Sequence, residues 1–481
     1  KDLDIKISPS SLLQNFTVEN IAAKLLPDLK LGSNTASPLA ELLIPEPHKR
    51  YEPFSLTDVQ RAYWIGRRQE MALGNTACQG YIEFDCEHLD VERLQSAWLR
   101  LIARHDTLRT VIGEDGLQRV LERAPDFSIA AHDLTGLTDA ERNDALAGIR
   151  GRLSHKVHDP MLWPLFDVEV SLLSGSMRRL HVLMDNVVMD GRSISILLAE
   201  WAALYHNPDH SLPPEEISFR DYISALERYR KTEAYQQAEA YWDAEAKLLP
   251  PAPELPLAKQ PECIEKPRFA RHDYRMAPDL WQALKAAAGR HGVTFSSVLL
   301  TAYADVLGLW SRSSSLTVNA PVFTRLPFHP AVNNVLGEFT SSILVRCESG
   351  RGMPFADKVK AVQQRVFDGL KYCQVSGVEV MRRKIRDGAP SRSVRMPVVF
   401  TSTFGLAKKA DTGFASSIEG FSSLGREVFN ISQTPQVWID NHVHDRDGTL
   451  SIYWDVVEEL FPVGMIASMF AAYCGTLERL A

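Results

Sequence analysis

The sequence predicts an α/β protein made of two similarly built halves. From residue 54 onward, short apolar strand-like runs alternate with helical patterns. A proline-rich stretch, Pro250-Pro251-Ala252-Pro253 with Pro256 and Pro261, interrupts that alternation and divides it into two runs of roughly 200 residues. At 481 residues the chain is about three times the ~150 residues of a common domain, which rules out one small module. With 45% hydrophobic and 23% charged residues it is too apolar for a disordered chain. A formal charge of −7 lacks the basic surplus expected of a nucleic-acid binder. The longest uncharged apolar stretches, near 293–304 and 461–474, reach about a dozen residues, short of the ~18 that a membrane helix needs. Neither nucleic acid nor membrane is therefore expected as a partner.

Residues 5–26 open with a loop signal, Ile7-Ser8-Pro9-Ser10. A helical pattern follows in which Thr17 can cap and Ile21 and Leu25 sit four apart. About 25 residues cannot bury a core alone. A polar, Pro-bearing linker containing Gly32-Ser33-Asn34-Thr35 leads to Pro53, and apolar density rises at Phe54. The first half then reads as a helix over 57–67, a strand over 80–84, an amphipathic helix over 90–105 and strands over 118–121 and 166–173. A strand over 180–187 runs into a helix over 193–205, and one long charged helix is expected over 219–248. Beyond the prolines come a strand over 270–276, helices over 278–291 and 295–310, strands over 316–321 and 342–345, and a helix over 355–372. Strands over 398–403, 437–444 and 449–454 precede a closing helix over 464–481. The expected organisation is therefore 1–27, a linker over 28–53, a first lobe over 54–250 and a second over 251–481. Clefts between such lobes commonly house active sites.

The six cysteines are scattered, with no CxxC pair and no Cys/His cluster at zinc spacing. Such sparse usage points to a reducing, cytoplasmic compartment by default. The chain starts at Lys1 without Met or a signal-peptide pattern, and is expected to be a fragment of something longer.

The most informative segment is Leu180-His181-Val182-Leu183-Met184-Asp185-Asn186-Val187-Val188-Met189-Asp190-Gly191-Arg192-Ser193. It places two acids in a strand-to-helix turn. A purely structural reading is available: Asp190-Gly191 is a common turn pair, Asp190 could cap the helix, and Asp185 could pair with an arginine. Yet Asp185 falls inside an expected buried run, where an unpaired charge costs several kcal/mol. It needs a partner, a raised pKa or access to water. His442 and His444 stand i, i+2 on a predicted strand, but no acidic or Cys partner at matching spacing supports a metal site, so none is expected. His105 reads as structural. No P-loop, GxGxxG or HExxH is present.

The spacing Asp185-x4-Asp190-x2-Ser193 resembles the DxxxxDxxS signature of heterocyclization domains of nonribosomal peptide synthetases, where ordinary condensation domains carry HHxxxDG. Here Asp185 and Asn186 stand at the two His positions. Phe54-Ser55-Leu56-Thr57-Asp58-Val59-Gln60, Arg104-His105-Asp106-Thr107-Leu108-Arg109 and Trp163-Pro164-Leu165-Phe166 are similar to further motifs of that family. So are Asn319-Ala320-Pro321-Val322-Phe323-Thr324-Arg325, Gly337-Glu338-Phe339-Thr340-Ser341, Pro397-Val398-Val399-Phe400-Thr401-Ser402, Thr434-Pro435-Gln436-Val437-Trp438-Ile439-Asp440 and Trp454-Asp455-Val456-Val457-Glu458. The resemblance spans 54–481, and residues 7–26 are similar to the last helices of a carrier protein whose attachment serine would lie upstream.

The resemblance implies two chloramphenicol-acetyltransferase-like lobes forming a V around a central tunnel. It implies an enzyme that joins an upstream carrier-bound acyl thioester to carrier-bound Cys, Ser or Thr and then closes a thiazoline or oxazoline with loss of water. Substrates would arrive on phosphopantetheine arms, with no cofactor on this chain, and the partners would be upstream and downstream carrier domains and an adenylation domain. Asp440 is the implied acid/base. Thr401 would bond the tetrahedral intermediate or position Asp440, and Asn319, Gln436 and Ser402 would orient the amide or support the groups that do. Asp190 is expected to be structural and ion-paired to an arginine, Asp185 to position substrate or serve architecture, and Ser193 to cap or pack at the helix start. Plain amide condensation, a non-catalytic carrier-docking platform and an acyltransferase using soluble coenzyme A thioesters are the competing readings.

Overall fold

The structure is a computed structural model that describes residues 39–350, 352–390, 395–404, 421–446 and 448–481. The expected carrier-like helices over 1–27, and the linker as far as residue 38, lie outside the described residues.

In chain order the elements are β1 (Phe54–Ser55), α1 (Asp58–Gly66), β2 (Gln79–Glu87), α2 (Val91–Arg104), β3 (Thr110–Ile112), β4 (Leu117–Val120), β5 (Ala130–Asp133) and α3 (Asp139–Leu153). Then come β6 (Phe166–Leu172), β7 (Met177–Asp185), α4 (Gly191–His206), α5 (Phe219–Tyr229) and α6 (Glu233–Glu245). After the prolines follow β8 (Phe269–Arg275), α7 (Pro278–Arg290), α8 (Phe295–Trp310), β9 (Ser315–Phe323), β10 (Thr340–Glu348), α9 (Phe355–Lys371) and α10 (Gly377–Arg386). The chain closes with β11 (Val398–Ser402), β12 (Arg426–Gln433), β13 (Ile439–Arg446), β14 (Thr449–Val457) and α11 (Met465–Leu480).

Local chemistry sets the boundaries. Thr57 caps α1 in a reciprocal box with Gln60, and Asp90 caps α2, which buries Leu94, Ala97, Trp98, Leu101 and Ile102 along one stripe. The single helix expected over 219–248 is two helices: the run breaks after Tyr229, and the Thr232 hydroxyl accepts the Tyr235 N–H to start α6. Helices α3 and α10 and strands β1, β3, β5 and β12 are additional to those read from the sequence.

A five-stranded sheet runs β12-β2-β7-β6-β5 and a six-stranded sheet runs β10-β9-β11-β13-β14-β8, with a small sheet β1-β4-β3 beside them. The chain crosses the proline boundary in both directions. Strand β12, from the second half, pairs antiparallel with β2 and forms an edge of the first-half sheet. Phe421, just before it, packs against Phe84 (ring centroids 4.6 Å apart) and Trp201 (5.6 Å) in the first-half core. Conversely, α5 and α6 join the second core: Tyr222 stacks edge-on against Phe339 at 4.7 Å, and Trp242 Nε1–H bonds the Tyr372 carbonyl at 2.9 Å. The described end of the linker is held on α5, with Arg228 bonding the Leu42 carbonyl and Asp221 accepting the Glu46 N–H.

Gly425 opens the crossing. A Cβ there would fall on Cys86 Sγ and within 2.8 Å of the Asp85 carbonyl oxygen, both on β2. Gly425→Ala is therefore expected to lower stability by about 1–3 kcal/mol through overpacking, measured as a shift in the urea midpoint, whereas Gly136→Ala, which has nothing within 4 Å, should not.

Candidate active site

The six-stranded sheet turns one face to its helices and the other to a cavity of about 1490 Å³ between the halves. Side chains in the middle of these strands alternate between the two faces. Along β11, Val399 and Thr401 reach the cavity while Val398 and Phe400 are buried on the helix side; along β13, Asp440, His442 and His444 reach the cavity while Ile439 and Val443 do not. Strand register aligns Asn319, Val399, Asp440, Asp455 and Arg271 in one row across five strands.

Asp440 and Asp455 are thus direct neighbours of like charge, an arrangement that destabilises a sheet unless compensated. Arg271 supplies the compensation with a two-pronged pair to Asp455, Nε to Oδ1 at 2.7 Å. Ser432, on the crossing strand β12, donates its N–H (3.0 Å) and hydroxyl (2.7 Å) to Asp455 Oδ2. Burial would raise the Asp455 pKa, but Arg271 outweighs it and holds the carboxyl below its ordinary value.

Asp440 is held at both oxygens. Thr401 Oγ1 donates to Oδ1 at 3.2 Å, and His442 Nε2 lies 3.2 Å from Oδ2 and 3.1 Å from Ser432 Oγ. Burial depresses the His442 pKa, but the Asp440 carboxylate, with Asp455 behind it, lifts it above the ordinary histidine value. A continuous series Thr401–Asp440–His442–Ser432–Asp455–Arg271 results, with the Asp440 carboxylate, 7% exposed, on the cavity wall.

Asn319 reaches the cavity with a buried Oδ1 that has no hydrogen-bond partner. Gln436 also lines it, projected by a left-handed backbone (φ 67°) after Pro435. That turn seats on the end of α1, where a Cβ at Gly66 would come within 2.9 Å of Pro435 Cβ. Ser402 sits one residue out of phase, its hydroxyl 3.1 Å from Ser296 Oγ on α8, behind the stretch of cavity wall that Thr401 lines.

The strand-to-helix turn separates its acids. Asp185 is fully buried and takes two bonds from Arg67 (2.9 and 2.8 Å) and one from the Val187 N–H (3.0 Å), so it does not meet the cavity; Asn186 does. Asp190 is the N-cap of α4, accepting the Ser193 N–H at 2.7 Å and the Ser193 hydroxyl at 2.6 Å, with Arg325 at 3.2 Å. The cap is Asp190 rather than Ser193. The Ser193 Oγ also lies 2.9 Å from the Gly337 carbonyl oxygen, its one proton shared between that oxygen and Asp190, and accepts the Gly337 N–H (3.0 Å), fastening α4 to the second half.

His105 is buried between Glu200 and Glu215, 2.7 Å from each, a structural setting. Among the described residues no group of three or more His, Cys, Asp or Glu is placed to hold a metal ion, and no single helix is long and apolar enough to cross a membrane. The sequence reading missed Ser432, Asp455 and Arg271 as supports of Asp440. The i, i+2 pairing of His442 with His444, taken one step back, reaches Asp440 and was the available signal.

The sequence profile of the family described as Condensation domain matches residues 52–479. Pyochelin synthetase PchF of Pseudomonas aeruginosa is 36% identical over 438 residues, covering 91% of this chain and 24% of that protein. Bacitracin synthase 1 of Bacillus licheniformis is 35% identical over 90% of this chain and 8% of its own length. Phenyloxazoline synthase MbtB of Mycobacterium tuberculosis is 35% identical over 89% of this chain and 30% of its own length. The chain therefore spans a third or less of each of these relatives. Among solved structures, the EpoB NRPS cyclization-docking bidomain from Sorangium cellulosum superposes with a TM-score of 0.83 at 34% identity, covering 97% of this chain and 91% of that one.

Two measurements test this geometry. Asp185→Ala strands the Arg67 guanidinium in the interior and should cost about 3–5 kcal/mol in denaturant unfolding. In Asp440→Asn the His442 imidazole loses its main charge partner, and its pKa, followed by NMR, should fall. Because the folded His442 pKa is raised, its contribution to stability is full below the unfolded value of ~6.5 and is lost as pH rises through the folded value. That alkaline loss should shrink in Asp440→Asn.

Proposed function

The chain belongs to the Condensation domain family, and from that premise we propose that it is a heterocyclization domain of a nonribosomal peptide synthetase. The supporting observation is the cavity-facing Asp440 carboxylate, gripped at one oxygen by Thr401 and at the other by His442. Relatives named for a cyclization bidomain and for a phenyloxazoline add support.

In the first step an acceptor amine attacks the donor thioester carbonyl; the C–N bond forms, the C–S bond breaks, and the carrier thiol is released. Holding two tethered reactants together supplies much of this step. Neither histidine of HHxxxDG is present, and Asp185, at the first position, is bound to Arg67, so no imidazole base acts there.

In the second step the acceptor side-chain sulfur or oxygen bonds to the new amide carbon. Asp440 takes its proton and passes it to the former carbonyl oxygen. The ring N–H proton then travels by the same carboxylate to the departing hydroxyl, water leaves, and the C=N bond closes. Thr401 and His442 fix the rotamer of the carboxylate for both transfers. Asn319 and Gln436, reaching the same cavity, orient the amide. The reactants come on phosphopantetheine arms of upstream and downstream carrier domains, the latter loaded with Cys by an adenylation domain.

Incubating loaded carriers with Asp440→Asn should give the linear amide, one water heavier than the wild-type product by intact mass. Cyclization should fall about 10²–10⁴-fold with amide formation retained. Thr401→Val should show a smaller loss in the same step. A folded Asp440→Asn that cyclizes at the wild-type rate would remove the assignment.

A further inference from the structure

A second cavity-lining carboxyl has no part in that scheme. Glu338 sits between Gly337 and the start of β10, is 1% exposed, and lines the same cavity. Its position is clamped on both sides. The Gly337 carbonyl accepts the Asp190 N–H (2.9 Å) and the Ser193 hydroxyl (2.9 Å). The Thr340 N–H donates to Glu338 Oε1 at 2.8 Å. A Cβ on Gly337 would strike the Phe219 ring, so the backbone here has no room to shift.

The groups whose charge acts on Glu338 are Asp190 at the head of α4, Arg325 after β9, Tyr63 on α1 and Cys78 ahead of β2. Burial first, and Asp190 second, push the Glu338 pKa up to about 8, against the Thr340 hydrogen bonds and the Arg325 charge. At neutral pH the carboxyl therefore carries a proton. Oε1 is occupied as the acceptor of the Thr340 N–H. Tyr63, Glu338 and Asp440 all line this cavity, and Tyr63 feels the charge of both carboxyls.

We propose that Glu338 is a further catalytic residue, a neutral O–H donor that hydrogen-bonds the acyl oxygen of the carrier-bound donor. This inference rests on the heterocyclization reading and extends it. When the acceptor amine adds to the thioester carbon, negative charge gathers on that oxygen, and a fixed donor in a dry site stabilises it. The C–S bond then breaks and the same oxygen becomes the amide carbonyl. It is also the oxygen that Asp440 protonates and that departs as water. One donor thus holds one atom through both steps, with no proton gained or lost by Glu338. A carboxylic acid kept neutral by its surroundings is suited to this work.

The test is single-turnover chemistry with both carriers loaded, using Glu338→Leu and Glu338→Gln across pH 6.5–9.5, with each variant checked by thermal melting. Glu338→Leu should lose amide formation about 10²-fold. Glu338→Gln still offers an N–H and should stay within about tenfold of wild type. The acceptor amine titrates identically in both enzymes, so the wild-type to Gln rate ratio isolates the carboxyl, and it should fall as pH passes about 8. A folded Glu338→Leu that forms amide within threefold of wild type overturns the inference, as does a ratio flat with pH. An alkaline change in melting temperature with none in rate would make the buried carboxyl structural and overturn the proposal. If wild type yields only linear amide, the cyclization reading fails, while the amide rates still decide the role of Glu338.

Discussion

Two carboxylates face each other across adjacent strands, Asp440 on β13 and Asp455 on β14, and the site is organised around keeping them there. The pair is tolerable because the two acids are treated differently. Asp455 is fully buried, doubly bound by Arg271 and twice bonded by Ser432, so its charge is neutralised locally. Asp440 receives only a hydroxyl and an imidazole and keeps contact with the cavity. One acid is spent on architecture and its neighbour is left available for proton transfer, the kind of division that environment alone can impose on identical groups.

A second junction fixes the distance between the halves. Asp190, Ser193, Gly337 and Arg325 form a closed set of hydrogen bonds in which α4 of the first half is tied to the loop before β10 of the second. Asp190 has the geometry of a helix cap and an ion-pair partner; its contribution is to hold the loop that carries Glu338 against the head of α4. Breaking it would move two walls of the cavity rather than remove a reacting group.

Much of this was legible in the residues. The α/β alternation and most strands appear as period-2 or apolar runs, and the motif resemblance led to Asp440, Thr401, Asn319 and Gln436, all four on the cavity wall. Of the two roles open for Ser402 in the sequence, the supporting one agrees with its contact to Ser296, because a strand deals alternate letters of a motif to opposite faces. The separate fates of Asp185 and Asp190 were open in the sequence, since Arg67 and Arg325 lie 118 and 135 positions away and no local pattern points to them. Strand β12 escaped for a related reason: Arg426–Gln433 finds its partner in β2, more than 300 residues earlier, and only one of its residues other than Gln433 is deeply buried.

That crossing strand carries a consequence for movement. Strand β12 is laddered to the first sheet through its backbone, while Ser432 reaches out of it to Asp455 and His442 on the second. Separating the two sheets along this seam would pull Ser432 away from Asp455 and His442, and so strip the supports from Asp440.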